Sequence, residues 1–563
     1  MDNLHSPAVT ADEQRLGQAL INSGIIDPIQ LDYALQKQTA TGERLSQALV
    51  RLGLVSAPRL ARVLAEHNNL PYADSAIPPD FEPQAQALFT REACIAHALL
   101  PVRVKDGQLE AILGNGDPHK AAALIQRRSG LTPRLSQGDF AWVSQQIERL
   151  YSERRQNVQA AFEAEYQKVA RDTHGSFPID ELVRKLLRLA VHERATDIHL
   201  QPESRSLHVA FRIDGVLIPI LAMNKALMRL VSAIKVMAAM DISDNLRPQD
   251  GRFTADINDQ KYDVRASTSI TPEGESVVLR LLPKGISVAS LEELGFAPEH
   301  LQRLYGLFQQ PHGIFLMTGP TGSGKTSTLH AGLRPLGMTG KSILTVEDPI
   351  EYELPVAAQT QVNRKAGYTF DTAIRHFLRH DPDIMLVGEI RDRETADAAM
   401  RAAETGHLVL STLHVNSVSG IVRRLEALGT APLALAETLI GCINQRLLRR
   451  LCEHCKEPVP PPDTIPAPLL GHLSNTRHWR GKGCQHCRHT GFYGRIPVYE
   501  VLMVDQALSR WIEQGGSRQQ LPEVLNEDNH VSLWQTGARL IRNELTTVDE
   551  LTRVFGTRDA LPT

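Results

Sequence analysis

A chain of 563 residues is too long for one hydrophobic core and, at roughly 150 residues per domain, divides into several. Its 42% hydrophobic and 22% charged residues are those of a soluble globular protein, which excludes a disordered, collagen-like or mainly membrane-embedded chain. Lys and Arg number 61 against 64 Asp and Glu, a net charge of -3, so no global field favours nucleic acid and stable nucleic-acid binding is not expected. The opening MDNLHSPAVTADEQRL lacks the basic-then-apolar pattern of a secretory signal. No apolar run reaches the roughly 18 residues of a membrane span, and a cytosolic location is expected.

An internal repeat comes first. Arg15-Leu16-Gly17, Leu20, Gly24, Leu31, Leu35 and Gln38 recur 29 residues later as Arg44-Leu45-Ser46, Leu49, Gly53, Leu60, Leu64 and His67. The spacing predicts two copies of one helical hairpin, leucines inward, as a domain over residues 1–75. Gly24 and Gly53 suit left-handed positions after a helix, and Asp27-Pro28 reads as an N-cap followed by Pro at N1. Two strand-like runs around Lys105-Asp106-Gly107, then helical stretches, give a small α/β domain over 76–152. Residues 153–176 are polar, lack a steady apolar stripe and read as a linker.

Beyond the linker, a helix and the alternating runs ATDIHLQPE, LHVAFRIDGVLIPI, QDGRFTADI, KYDVRASTSI and SVVLRLL predict a mixed α/β unit over 177–285. Strand-like runs at GIFLM, Ser342 to Val346, Ile384 to Val387 and Leu408 to Ser411 then alternate with helices. That alternation predicts a RecA-like parallel sheet over 286–450. A cysteine-bearing segment over 451–500 and a helical region over 501–563 complete the chain.

Within the RecA-like region, Gly319-Pro320-Thr321-Gly322-Ser323-Gly324-Lys325-Thr326 fits the P-loop spacing, with Ser327 following into a helix. Backbone N–H groups of such a loop wrap the phosphates of ATP, Lys325 neutralises their oxygens, and the Thr326 hydroxyl suits Mg²⁺. Carboxylates for magnesium and water come from Glu347, Asp348 and Glu351 after the strand ILTV and from Glu389 after IMLVG. An ordinary P-loop site ends the latter strand in Asp; Gly388-Glu389 stands here instead, which disfavours a generic helicase. Cys452-x-x-Cys455, a 28-residue insert and Cys484-x-x-Cys487 have the spacing of a closed tetrahedral Zn²⁺ site. Cys94 and Cys442 read as ordinary buried thiols. The expected fold class is therefore α/β: a RecA-like P-loop core preceded by a mixed α/β domain, with a helical N-terminal repeat and a small zinc-binding insertion.

These boxes resemble the secretion ATPases of type II secretion and type IV pilus assembly. The resemblance covers almost the whole chain and rests on the P-loop, TVEDPIEY, MLVGEIRD, and the histidine box from Thr405-Gly406-His407 to His414. ATDIHLQP, RIDGVL and QDGR match the domain upstream, which the resemblance makes PAS-like. It implies that Glu351 polarises the attacking water, that Glu389 helps hold magnesium, and that His407 and His414 attend the γ-phosphate side. It also implies a homohexamer in which arginines of the upstream domain, Arg252 and Arg265 first among Arg212, Arg252, Arg265 and Arg280, reach a nucleotide of their own or a neighbouring subunit. The partners implied are an inner-membrane platform and a cytoplasmic adaptor, with peripheral membrane association through them. The N-terminal repeat resembles the domain through which some relatives bind cyclic di-GMP, with Arg15, Leu16, Gly17, Gln38 and Arg44 as candidates. The rival readings are a nucleic-acid translocase of the RecA-like class and a scaffold whose P-loop binds nucleotide without hydrolysing it; within the family, a type IV pilus motor is the alternative to a type II secretion motor.

Overall fold

The computed structural model describes residues 11–74, 79–155, 158–171, 178–257, 260–284, 289–338, 340–415, 417–474, 476–516 and 519–556. It divides into two units, Met1–Ile286 and Ser287–Thr563.

The first unit opens with helices α1 (Ala11–Asn22), α2 (Pro28–Thr41), α3 (Leu45–Arg51) and α4 (Ala57–His67). The repeat reads through into backbone geometry: Gly24 and Gly53 have φ of 64° and 76°, the left-handed region that glycine enters without a Cβ penalty. Asp27 caps α2, its side chain accepting from the Gln30 N–H at 2.8 Å while Gln30 reaches back to the Asp27 N–H at 3.0 Å. The equivalent leucines Leu20 and Leu49 are fully buried.

Strands β1 (Leu99–Lys105), β2 (Gln108–Leu113) and β3 (Thr132–Gln137) then form a three-stranded sheet in that order. Asp106 and Gly107, both at positive φ, make the two-residue turn between β1 and β2 whose twist matches a hairpin. The stretch expected to be a linker is helical over Val158–Ala170. Phe162 and Val169 are 2% and 1% exposed, in one core with Leu182 and Leu186 of the helix Asp180–His192. Phe162, Tyr166 and Val169 lie at i, i+4 and i+7, a stripe one residue wide that a polar surround conceals.

Strands β4 (Ala195–Pro202), β5 (Ser206–Ile213), β6 (Val216–Asn224), β7 (Asp250–Ile257), β8 (Gln260–Thr271) and β9 (Gly274–Pro283) form an antiparallel sheet in the order β6-β5-β4-β9-β8-β7. Its buried residues share a core with those of the helices Asp180–His192 and Arg229–Met237.

In the second unit lie β10 (Gly313–Thr318), β11 (Ile343–Glu347), β12 (Ala358–Gln361), β13 (Ile384–Val387), β14 (Leu408–Leu413), β15 (Leu439–Leu451), β16 (Lys456–Val459), β17 (His478–Gly481), β18 (Phe492–Met503) and β19 (His530–Val531). Eight of these make one sheet, ordered β12-β11-β13-β14-β10-β15-β18-β19, while β16 and β17 pair separately. The six strands from β12 to β15 run parallel, and β18 and β19 are antiparallel additions. β10 is buried along its whole length: Ile314 and Leu316 join the core on one face, Phe315 and Met317 that on the other. The sheet runs on through residues assigned from sequence to the cysteine segment and the helical tail. The β15–β18 pair is a hairpin interrupted by the cysteine segment, so no local turn signal announces it.

Candidate nucleotide site and metal centre

β10 lies between β14 and β15, and at its end the chain turns through Gly319, Gly322 and Gly324 at φ of 133°, 76° and 86° into the helix Lys325–Leu333. A Cβ on Gly319 would meet the Gln445 carbonyl oxygen at 2.3 Å, so close approach of β15 requires the glycine. Gln445 also clamps the loop with its side chain. Its Nε2 donates to the Ser323 carbonyl at 2.7 Å and its Oε1 accepts from the Thr328 hydroxyl at 2.9 Å. Sequence reasoning missed Gln445, because a strand glutamine more than a hundred residues away carries no motif.

The Lys325 ammonium folds back on its own loop, donating to the Gly319 and Pro320 carbonyls at 2.9 and 3.1 Å. Burial lowers its pKa from the ordinary lysine value, and the field of Glu389 acts against that shift. Thr326 and Ser327 are half-buried in the first turn of the helix, whereas Pro320, Thr321 and Gly322 are exposed at the tip of the loop.

Glu389 follows β13 and His414 follows β14, at the same C-terminal edge of the sheet as the P-loop. One Glu389 oxygen lies 3.2 Å from His414 Nε2 and 2.6 Å from Arg391 Nε. Glu351 stands in the loop after β11, and its carboxylate makes no hydrogen bond or ion pair among the described residues. Glu347 is a different kind of acid, only 4% exposed. Burial raises its pKa, but His330, Gln359 and Thr345 together outweigh that and hold it below the ordinary value. Asp348 pairs with Arg364 at 3.2 Å.

His407, expected beside His414, is at the other edge of the sheet. It precedes Leu408, which pairs with Gly313 at the start of β10, and its Nδ1 sits 3.0 Å from the Ala402 carbonyl and 3.1 Å from the Thr405 hydroxyl. Six strand residues lie between it and His414, a span of seven steps or roughly 23 Å at about 3.3 Å per residue. Motif order placed the two histidines together; a strand between them carries them apart.

Residues 172–553 match the family described as "Type II/IV secretion system protein". The chain belongs to that family. It is 43% identical over 390 residues to the type II secretion system protein HxcR of Pseudomonas aeruginosa, covering 69% of this chain and 79% of that one. To the type IV pilus assembly ATPase PilB of Thermus thermophilus it is 36% identical over 509 residues, 87% of this chain and 57% of that one. The X-ray structure of the Yersinia pseudotuberculosis ATPase DotB covers 68% of this chain and 95% of its own at 19% identity and a TM-score of 0.51, a likeness of fold. The enzyme is an ATPase of the secretion and pilus family, and no helix among its described residues is long and apolar enough to cross a membrane.

The arginines of this secretion ATPase's first unit form a row. Arg212 is paired in register with Asp197, Asp197 with Arg280, Arg280 with Arg265 and Arg265 with Arg252, so the five side chains cross five strands on one face of the sheet. Arg280 Nε donates to Asp197 at 2.9 Å, Arg212 lies 3.8 Å from the same carboxylate and Arg265 lies 3.6 Å from Asp263. Arg252, at the end of the row, is exposed and has no ion pair among the described residues.

The four motif cysteines converge. Their sulfurs lie within 4.8 Å of one another, with Cys452 to Cys484 at 3.8 Å and Cys487 at 3.7 Å from both Cys455 and Cys484. A tetrahedron with a metal–sulfur bond of about 2.3 Å has edges of about 3.8 Å, so the set fits zinc. Cys487 Sγ accepts from the Cys484 and Gly491 N–H groups at 3.2 and 3.3 Å, the environment of a thiolate rather than a thiol. Cys94 and Cys442 are fully buried, as expected of structural thiols.

In the N-terminal repeat, three of the cyclic di-GMP candidates have structural duties that the sequence did not reveal. Gln38, 2% exposed, donates to Glu13 at 2.7 Å, and Arg44 donates to the Asn115 carbonyl at 2.6 Å. A Cβ on Gly17 would lie 2.7 Å from the Leu31 side chain, so this glycine lets α1 pack on α2. Leu16 belongs to the same core. The Arg15 side chain lies outside the described residues.

Proposed function

We propose that this chain works as a cytoplasmic homohexamer in which ATP hydrolysis drives assembly of a pseudopilus or pilus, engaging an inner-membrane platform and a cytoplasmic adaptor. What carries the reading is the convergence of a glycine-wrapped Lys325 with Glu389 and His414 at one edge of a parallel sheet, in a chain of the secretion family. Loop N–H groups from Gly319 to Ser327 cradle the phosphates, and Lys325 exchanges its two loop carbonyls for phosphate oxygens. Glu351, whose carboxylate has no partner among the described residues, takes the proton of the attacking water as the water oxygen bonds to the γ-phosphorus and the bond to the β–γ bridging oxygen breaks, releasing ADP. The Thr326 hydroxyl and Glu389, both hard oxygen donors, would hold Mg²⁺, which supplies positive charge to the phosphates when bound. His414 orients Glu389, and His407 is not assigned to this site.

Arg252 and Arg265 supply the remaining positive charge across the subunit boundary. Specific activity is therefore expected to rise steeply with protein concentration. Mixing Arg265→Ala with Lys325→Ala chains should recover part of the turnover that each lacks alone. A monomer with full, concentration-independent turnover would sink the ring.

The four cysteines bind Zn²⁺ as a structural staple, leaving no open position for substrate. The N-terminal repeat takes cyclic di-GMP, with Arg15 and Arg44 pairing to phosphate or guanine. Arg44 must release Asn115 to do so, at about 1 kcal/mol. Calorimetry on the full chain should give saturating heat that Arg15→Ala and Arg44→Ala each weaken; no heat at high micromolar ligand would leave the repeat a docking adaptor.

A further inference from the structure

Glu351 reaches its place in a loop, and a loop needs something to hold it. The edge strand β12 supplies two side chains from one face, Gln359 and Gln361, two residues apart. Gln361 Oε1 accepts from the Ile350 N–H at 3.3 Å, just before Glu351. Gln359 grips the other side: its Nε2 donates to the Tyr352 carbonyl at 3.0 Å and its Oε1 accepts from the Leu354 N–H at 2.7 Å. The backbone on either side of Glu351 is thus fixed by amide side chains that leave its carboxylate unengaged.

The orientation of Gln359 is fixed in turn. Its Nε2 also donates to Glu347 Oε1 at 2.8 Å, and a carboxylate can only accept there, so the amide oxygen must face Leu354. The second Glu347 oxygen faces His330 Nε2 at 3.7 Å. His330 belongs to the helix that Lys325 begins; it is fully buried, and neither ring nitrogen has a hydrogen-bond partner among the described residues. Its contact with Glu347 sets the P-loop helix against the same buried carboxylate that holds the Gln359 amide. The Tyr352 ring meets His330 edge-on at 6.5 Å between centroids.

We infer that Glu347 and Gln359 are positioning residues for Glu351, and that His330 links them to the P-loop helix, so that nucleotide seating on that helix sets the loop that carries Glu351. The inference rests on the reading of Glu351 as the residue that takes the water proton. It makes Glu347 a support for the reaction rather than a second catalytic acid, although both carboxylates stand in the same sequence box.

The test is steady-state ATP hydrolysis and binding of a fluorescent ATP analogue by the full chain. Gln359→Leu should lower kcat by about 10- to 100-fold, the effect of misplacing a reacting group by about 1 Å, with analogue affinity nearly unchanged and a melting temperature lower by only a few degrees, the chain staying folded. Glu347→Ala should do the same, and Glu347→Gln, which keeps an acceptor for Gln359, should recover most of the loss. Combining Gln359→Leu with Glu351→Gln should reduce kcat no further than Glu351→Gln alone, because the first acts only through the second. Full kcat in Gln359→Leu, or additive losses in the double variant, overturns the relay. Full kcat in Glu351→Gln alone overturns the catalytic reading beneath it, so the two failures are distinct.

Discussion

Replacing Lys325 with alanine should abolish ATP turnover while leaving the chain folded. The ammonium is the one cation that the P-loop itself brings to the phosphates, and it sits where burial removes competing water. Charge stabilisation in such a site is stronger than in bulk solvent, and removal of one preorganised donor lowers kcat by roughly 10²- to 10³-fold. Lys325 also contributes to phosphate binding, so kcat/KM should fall further than kcat. Stability should change little, since the hydrogen bonds lost run to Gly319 and Pro320 within the same loop, and Gln445 still clamps Ser323 and Thr328. Glu351→Gln should behave differently: turnover lost, ATP still bound, because the glutamine keeps shape and gives up only the basic oxygen. Phosphate-release assays beside binding isotherms check both. Normal turnover in Lys325→Ala would remove the P-loop from the reaction.

The elements that bear this chemistry were legible wherever signal and structure share a scale. The P-loop, its strand and its helix are contiguous, so fixed spacing fixes geometry. The two C-x-x-C pairs were legible for the same reason, each pair being one tight turn. The repeat glycines took the left-handed conformations that their places after helices demand. Illegible features are those in which distant residues meet. Gln445 closes the P-loop from a strand that pairs with β10 only because the sheet places it there. Arg252, Arg265, Arg280 and Arg212 look scattered along the chain; antiparallel register sets them in a row. His407 and His414 fail in the opposite sense, being neighbours in sequence on a strand that separates them. Gln38 and Arg44 show how a repeated polar residue can answer to packing, since one is buried against Glu13 and the other fastens α3 to Asn115.

Removing the metal from the cysteine cluster should unfold its surroundings before it disturbs the nucleotide site. The segment between β15 and β18 buries few aliphatic side chains, Leu469 and Leu473, and Lys456 stands 5.5 Å over its Trp479 ring. So thin a core needs a staple, and a Cys₄ zinc supplies folding free energy directly. The paired lengths of β15 and β18 persist without it, so the loss is part of what an isolated zinc peptide shows, about 3 kcal/mol, or roughly 6–12 °C in Tm at about 2–4 °C per kcal/mol. Gln445 lies seven residues up β15 from Cys452, roughly 23 Å at about 3.3 Å per residue, and its hold on the P-loop should survive. Metal analysis should find about one zinc per chain, as one Cys₄ set holds one ion. Cys452→Ser should lower Tm while the affinity for ATP stays within about twofold, since distant sites change independently. A metal-free preparation that melts at the same temperature as the purified protein would show that the four thiols hold the turn without an ion.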